Sequence, residues 1–155
     1  MRVPYLLAAA ILAAAPAAQA ATYRLGQIEV AQPWSRPAAA GMTGAGYMTI
    51  ANRGKAADTL TGVETASARK VEIHASSMAG GVMKMRRLDS GLAIPAGQAV
   101  ALAPGGTHLM LIGLTKPLKS GDKVPVTLMF ASGNRLKIEL SVGAAAPAAE
   151  SHAHH

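Results

Sequence analysis

VPVTLMFASGNRLKIELSV, residues 124–142, decides the fold class of this chain. In an extended backbone successive side chains point to opposite faces, so a half-buried strand reads as apolar residues at every second position. Val124, Val126, Leu128 and Phe130 alternate in this way, and so do Leu136, Ile138, Leu140 and Val142. Ser132-Gly133-Asn134 between the two runs supplies the turn chemistry of a β-hairpin. The pattern predicts two antiparallel strands that present one apolar face to a core.

Working outward, shorter runs of the same kind recur: RLGQIEV, GYMTIAN, TLTGVET, KVEIH, VMKMRRL, AVAL and HLMLIGL. With the hairpin this makes about nine strands. Pro95-Ala96-Gly97, Pro104-Gly105-Gly106 and Ser120-Gly121-Asp122 mark turns between them, and no window after the N-terminal segment has a helical period. Regular strand and turn spacing without helices predicts an all-β antiparallel sandwich or Greek-key barrel. The 155 residues are enough for one core and few for two.

The two ends differ from this pattern. MRVPYLLAAAILAAAPAAQA, residues 1–20, joins a basic Arg2 to an apolar run and an Ala18-Gln19-Ala20 ending, the form of a signal peptide cleaved after Ala20. The run is too short for a membrane span, so the expectation is an exported, periplasmic protein with no stable membrane insertion. Residues 144–155, with their alanines, a single proline and terminal SHAHH, offer nothing to a core and read as a disordered, flexible tail. Its His152, His154 and His155 could capture a metal ion, Cu(II) among them, without any fold.

The expected folded domain therefore spans residues 21–143. The chain has no cysteine, so no disulfide braces it. Without Arg2, fourteen basic residues face eight acidic ones, a formal charge near +6. Export makes nucleic acid an unsuitable partner, and the charge fits solvated lysines or loose attraction to an acidic surface.

Two histidines fall within the expected domain. In HLMLIGL, residues 108–114, His108 and Met110 share one strand face while Leu109 and Leu111 take the other. In KVEIH, residues 70–74, Glu72 and His74 alternate with Val71 and Ile73, so His74 also lies off the aliphatic face. A single histidine in an apolar strand is more often a core residue bonded to backbone, so either one alone decides little. The stretch after His74, HASSMAGGVMKM, reads as a loop and carries Met78, Met83 and Met85. Methionine commonly fills core gaps, but three in eight residues beside a histidine is a concentration of soft sulfur. Thioethers are poor ligands for zinc, magnesium or calcium and good ones for Cu(I), and imidazole suits copper in either oxidation state. Without cysteine a blue-copper electron-transfer centre is excluded.

At this point the chain resembles the PCuAC family of periplasmic copper chaperones, formerly a domain of unknown function. The family motif is a histidine, ten intervening residues, a methionine, then about twenty-one or twenty-two residues to His-x-Met; here it falls on His74, Met85, His108 and Met110. QPWSRPAAAGMTGAGYMTIAN, GVMKMR and PAGQAVALAPGGTHLMLIGLTKPLKSGD extend the likeness over most of the domain. The resemblance implies a cupredoxin-like β-fold without the cupredoxin copper centre and a Cu(I) site of those two histidines and two methionines. It implies delivery of copper to an acceptor, the oxidase subunit carrying the CuA centre of cytochrome c oxidase, with another copper chaperone as a further partner. Some members carry a His- and Met-rich extension proposed to take Cu(II); SHAHH looks like a reduced version that lacks methionine. Met78 and Met83 lie outside the motif, where packing or an apolar rim accounts for them.

Three other readings compete with delivery. A copper storage or resistance protein would use the same ligands. An enzyme would need a constellation that spacing does not offer: no serine–histidine–acid set, no paired carboxylates, and alanine at the expected mature terminus. A non-catalytic β-sandwich binding module explains the strands and leaves the histidine and methionine spacing to chance.

Overall fold

The computed structural model describes residues 21–143, so the expected signal peptide (1–20) and tail (144–155, with His152, His154 and His155) lie outside the described residues. Among the described residues there are eleven strands and no helix: β1 Thr22–Leu25, β2 Ile28–Ser35, β3 Gly44–Asn52, β4 Asp58–Glu64, β5 Ala68–Ala79, β6 Val82–Arg87, β7 Leu92–Ile94, β8 Ala99–Leu102, β9 His108–Leu114, β10 Lys123–Phe130 and β11 Arg135–Val142. The hairpin read from residues 124–142 is present, with Val126 opposite Ile138 and Leu128 opposite Leu136. Its apolar positions are buried and most of the residues between them are not, which is what period-two patterning produces when one face meets a core.

One continuous sheet runs in the order β6-β5-β9-β3-β2-β11-β10-β4-β7, with β1 and β8 added beside β2 and β3. It wraps around a single cluster to which both halves contribute: Val30, Ile50, Leu109 and Leu111 from one side, Leu60, Ile94, Leu128 and Leu140 from the other, all completely buried. The all-β sandwich is therefore as expected. It departs from a purely antiparallel arrangement at one place, where β11 pairs in parallel with β2 through Ser141 opposite Trp34 and Val142 opposite Ser35.

A bulge in β2 makes that pairing possible. The register slips between Ala31 and Trp34, and Gln32 has φ +53°, alone among the described non-glycine residues in being positive. Residues before the bulge pair with β1 and residues after it with β11, so β2 passes from one layer to the other. Strand β3 divides its pairing similarly, Met48–Ala51 with β8 and Gly44–Gly46 with β9. Gly46 sits where a Cβ would press on Leu109 and on Leu140 across the core, each at 3.3 Å, so the absence of a side chain lets β3 and β9 lie this close.

Three expectations need correction. RLGQIEV is two strands, because Gly26 adopts φ +59° and turns the chain between β1 and β2. Leu92–Ile94 is a strand too short for periodicity to mark. The stretch after His74 is no loop: β5 continues to Ala79 and returns as β6, with Gly80 and Gly81 at φ +58° and +78° forming a two-residue hairpin turn. Its small residues look like loop composition, and pairing with β6 overrides that local preference.

Candidate metal centre

Register alone puts the four expected ligand residues on one face. His74 in β5 lies directly opposite His108 in β9 and, on its other side, opposite Arg87 in β6. Directly paired residues project to the same face of a sheet, and so do residues two apart along a strand. Glu72, opposite Met110, and Ser76, opposite Met85, therefore share the face of His74. The two histidines form a central row, with Met110 one rung to one side and Met85 one rung to the other. Met78 and Met83, directly opposite each other, continue the same face to the tip of the hairpin.

The ring centroids of His74 and His108 are 6.2 Å apart, with planes inclined by 29°. His108 is 6% exposed yet lies outside the apolar cluster. Burial bonded to backbone, the ordinary fate of a strand histidine, is true of half its ring: Nδ1–H donates to the Gly106 carbonyl at 2.9 Å. The neutral ring then carries its lone pair on Nε2, and that atom lies 3.1 Å from Sδ of Met110. In that neutral form two lone-pair donors face each other. A soft cation beside both would relieve that approach.

His74 has the opposite arrangement. Its Nε2 is 2.8 Å from Oε2 of Glu72; a carboxylate only accepts, so Nε2–H donates and Nδ1 keeps the free lone pair. Glu72 also meets Lys70 at 3.0 Å and Arg87 at 3.2 Å, and Arg87 is held in turn by Asp89. The hydrogen bond from His74, then the one from Lys70, and then that from Arg87 hold the Glu72 carboxyl far below the usual carboxylate range, at about 2. A permanent anion thus adjoins the histidine row, orienting one ring and favouring a cation nearby.

The aromatic wall on the far side comes from β2 and β3. Tyr47 lies 6.5 Å from the His108 ring and 4.7 Å from Trp34, centroid to centroid, and the Arg36 guanidinium lies about 6 Å from both aromatic rings. Sequence reading missed Glu72, Tyr47 and the Gly106 carbonyl as parts of this site. The alternation in KVEIH carried a signal for Glu72; the other two depend on pairing and on the loop before β9.

Chemically, this is a face with two imidazole lone pairs and at least two thioethers, and no gathering of three His, Cys, Asp or Glu able to hold a metal occurs among the described residues. Ions that want oxygen or several nitrogens find too few donors, whereas a soft monovalent cation finds four. The site is open: Met85 is 54% exposed and all of β6 faces solvent. A separate groove lies elsewhere, lined in part by Glu64, Ser67, Lys116 and Lys137.

Comparison with known proteins places the fold beside copper-binding domains. The model of the family described as "Putative lipoprotein LpqE-like" matches residues 28–142. The "Putative lipoprotein Lxx21020" of Leifsonia xyli subsp. xyli (strain CTCB07) is 35% identical over 115 residues, 74% of this chain and 69% of that protein. Among solved structures, the copper-bound PCuAC domain from PmoF2 superposes with a TM-score of 0.69 at 28% identity, over 81% of this chain and 99% of that one. The solution structure of CuI-DR1885 from Deinococcus radiodurans gives a TM-score of 0.56 at 30% identity, over 81% of this chain and 80% of that one.

Proposed function

This chain belongs to the LpqE-like family, whose fold here is that of the PCuAC domains, and we propose that it is an exported copper chaperone that binds Cu(I) through His74, Met85, His108 and Met110. The observation that carries the reading is the shared face: residues from three strands, up to thirty-six positions apart in sequence, converge as two imidazoles flanked by two thioethers. The copper-bound domain of PmoF2 and the Cu(I) form of DR1885 support copper as the ion.

Delivery follows from the ligands. Neutral thioethers can be displaced one at a time by an incoming thiolate, and an open sheet face lets an acceptor approach while copper is still partly held. A cysteine-bearing acceptor binds Cu(I) more strongly, so transfer runs downhill without an energy source. The acceptor that fits is an exported protein with a dicysteine copper centre, such as the CuA-bearing oxidase subunit. Since the ligands here cannot form a disulfide, the site is not lost by thiol oxidation in an oxidising compartment. The family description speaks of lipoproteins, which supports export.

The test is transfer. Copper-loaded protein mixed with a reduced apo CuA domain should yield the copper-loaded acceptor, read by metal analysis after separation. Copper that stays behind although the acceptor is competent would leave storage as the better reading.

The tail fits an auxiliary role. The described chain ends beside the site, since the Gly143 N–H donates to the Ser35 carbonyl, Ser35 pairs with Gly46 and Gly46 with Leu109. Three strand spacings, about 14 Å, separate that exit from the His108 rung. His152, His154 and His155 suit Cu(II), so removing residues 144–155 should abolish the Cu(II) equivalent taken up under oxidising conditions and spare Cu(I) binding by the folded domain. Cu(II) still taken up by the shortened chain would take the tail out of the mechanism.

A further inference from the structure

Beyond the four-residue site, the tip of the β5–β6 hairpin has an unusual surface. Met78, Met83 and Met85 are 64, 55 and 54% exposed, so none of them serves the ordinary purpose of methionine, filling gaps in a core. All three stand on one face. Met78 and Met83 are directly opposite each other, and Met85 is the next residue of β6 on that face, opposite Ser76. Direct pairs bring Cβ atoms within about 5 Å, and diagonal neighbours stay within reach of long side chains. Each sulfur lies two bonds beyond its Cβ on a flexible stem, so three sulfurs can meet one ion at about 2.3 Å, a usual metal–sulfur length. The tight Gly80-Gly81 turn fixes the rungs on which they stand.

The rest of this end offers no carboxylate. Ser76 supplies only a hydroxyl, and Lys84 pairs with Ser77 on the opposite face. Cations that need carboxylates are therefore unsuited, and a soft monovalent ion is suited.

We propose that Met78, Met83 and Met85 form a second Cu(I) site, made of thioethers alone, through which copper enters on its way to the histidines. Met85 belongs to both sites, so copper exchanges its remaining ligands one at a time, giving up Met78 and Met83 and gaining His74, His108 and Met110, and is never released. Its oxidation state is unchanged and no proton moves. Direction comes from the donors: the outer site has only neutral sulfur in water, while the inner one adds two imidazoles and the Glu72 anion. Outer binding is therefore the weaker, as a point of entry must be.

The proposal rests on the inner site only through the shared Met85, and one experiment separates the two. The full chain, labelled at the methionine methyl carbons, is titrated with Ag(I), a redox-inert analogue of Cu(I), and followed by NMR. The first equivalent should move the methyls of Met85 and Met110. Further additions should move those of Met78 and Met83 and shift Met85 again, with an affinity at least roughly tenfold lower. Silver taken by the tail histidines leaves these methyls still. In the Met78→Leu/Met83→Leu variant, whose changes are at exposed positions, the first step should persist, the second shift of Met85 should vanish, and loading from Cu(I)–glutathione should slow several-fold. Stationary Met78 and Met83 methyls through three equivalents, or a second Met85 shift that survives in the double variant, would overturn the outer site. A first equivalent that leaves Met110 unmoved would instead count against the inner one.

Discussion

His108→Ala should lower the affinity for Cu(I) by roughly 100-fold or more, since even groups that merely orient a metal ligand are worth about 10- to 100-fold. The ring supplies the Nε2 lone pair that faces Met110 Sδ, and no neighbouring side chain on that rung can replace it, because Tyr47 beyond it is an aromatic hydroxyl and His74 is already committed. The substitution also removes the hydrogen bond to Gly106 and opens a small cavity, a cost to folding of about 1–3 kcal/mol. Met110→Leu provides the control for that cost. It keeps a comparable apolar volume and loses only the sulfur, so thermal stability should barely change while affinity falls about tenfold or more. Competition with a chromophoric Cu(I) chelator, together with thermal melts, measures both quantities. Wild-type affinity in folded His108→Ala would remove this histidine from the site, and the central row with it.

How legible such a site is depends on how far its parts are separated by pairing. The hairpin of residues 124–142 could be read because its alternation is local and unbroken, and its observed register follows the pattern. The likeness of His74 and His108 was also local, since each alternates with the aliphatic residues of its own strand. What brings them face to face is the β5–β9 register, a non-local fact to which the sequence gives no direct access. The same holds for Glu72, whose partners Lys70 and Arg87 come from its own strand and from β6. The small residues after His74 misled because propensity describes a residue alone, whereas Ala75, Ser76 and Ser77 are extended by pairing with Arg86, Met85 and Lys84 respectively. That correction changes the meaning of the methionines. On a loop Met78 and Met83 would be a loose apolar rim; on a paired hairpin they occupy fixed rungs of the same face as the histidines. The bulge at Gln32 and the parallel contact of β11 with β2 left no mark at all, because a non-glycine residue with positive φ is stabilised by its surroundings and not by its own preference.

Acid should weaken copper binding more than any single substitution, and the Glu72 geometry makes the cause separable. Each imidazole must be unprotonated to coordinate, while a thioether has no proton to lose in this range. Once both rings are protonated in the free protein, two protons are displaced per copper bound, so affinity falls by up to about 100-fold per pH unit. Between pH 7 and pH 4 the total loss should exceed roughly 1,000-fold, in a curve that steepens as pH falls. The sign is that of competition: protons favour the copper-free state. Glu72 is not the titrating group: its carboxyl is depressed to about 2 by His74, Lys70 and Arg87, so it remains an anion across the whole window. Glu72→Gln should therefore lower affinity at every pH, by about tenfold for the loss of an orienting anion, without flattening the acid limb. His74→Ala should halve the limiting slope instead, because only one proton is then displaced. Chelator competition at half-unit steps from pH 7 to pH 4, performed on the three proteins, measures these slopes. A wild-type affinity that does not change across that range would mean that the imidazoles hold no copper. A slope abolished by Glu72→Gln would assign the proton to the carboxylate and overturn the orientation of His74 derived from its bond to that residue.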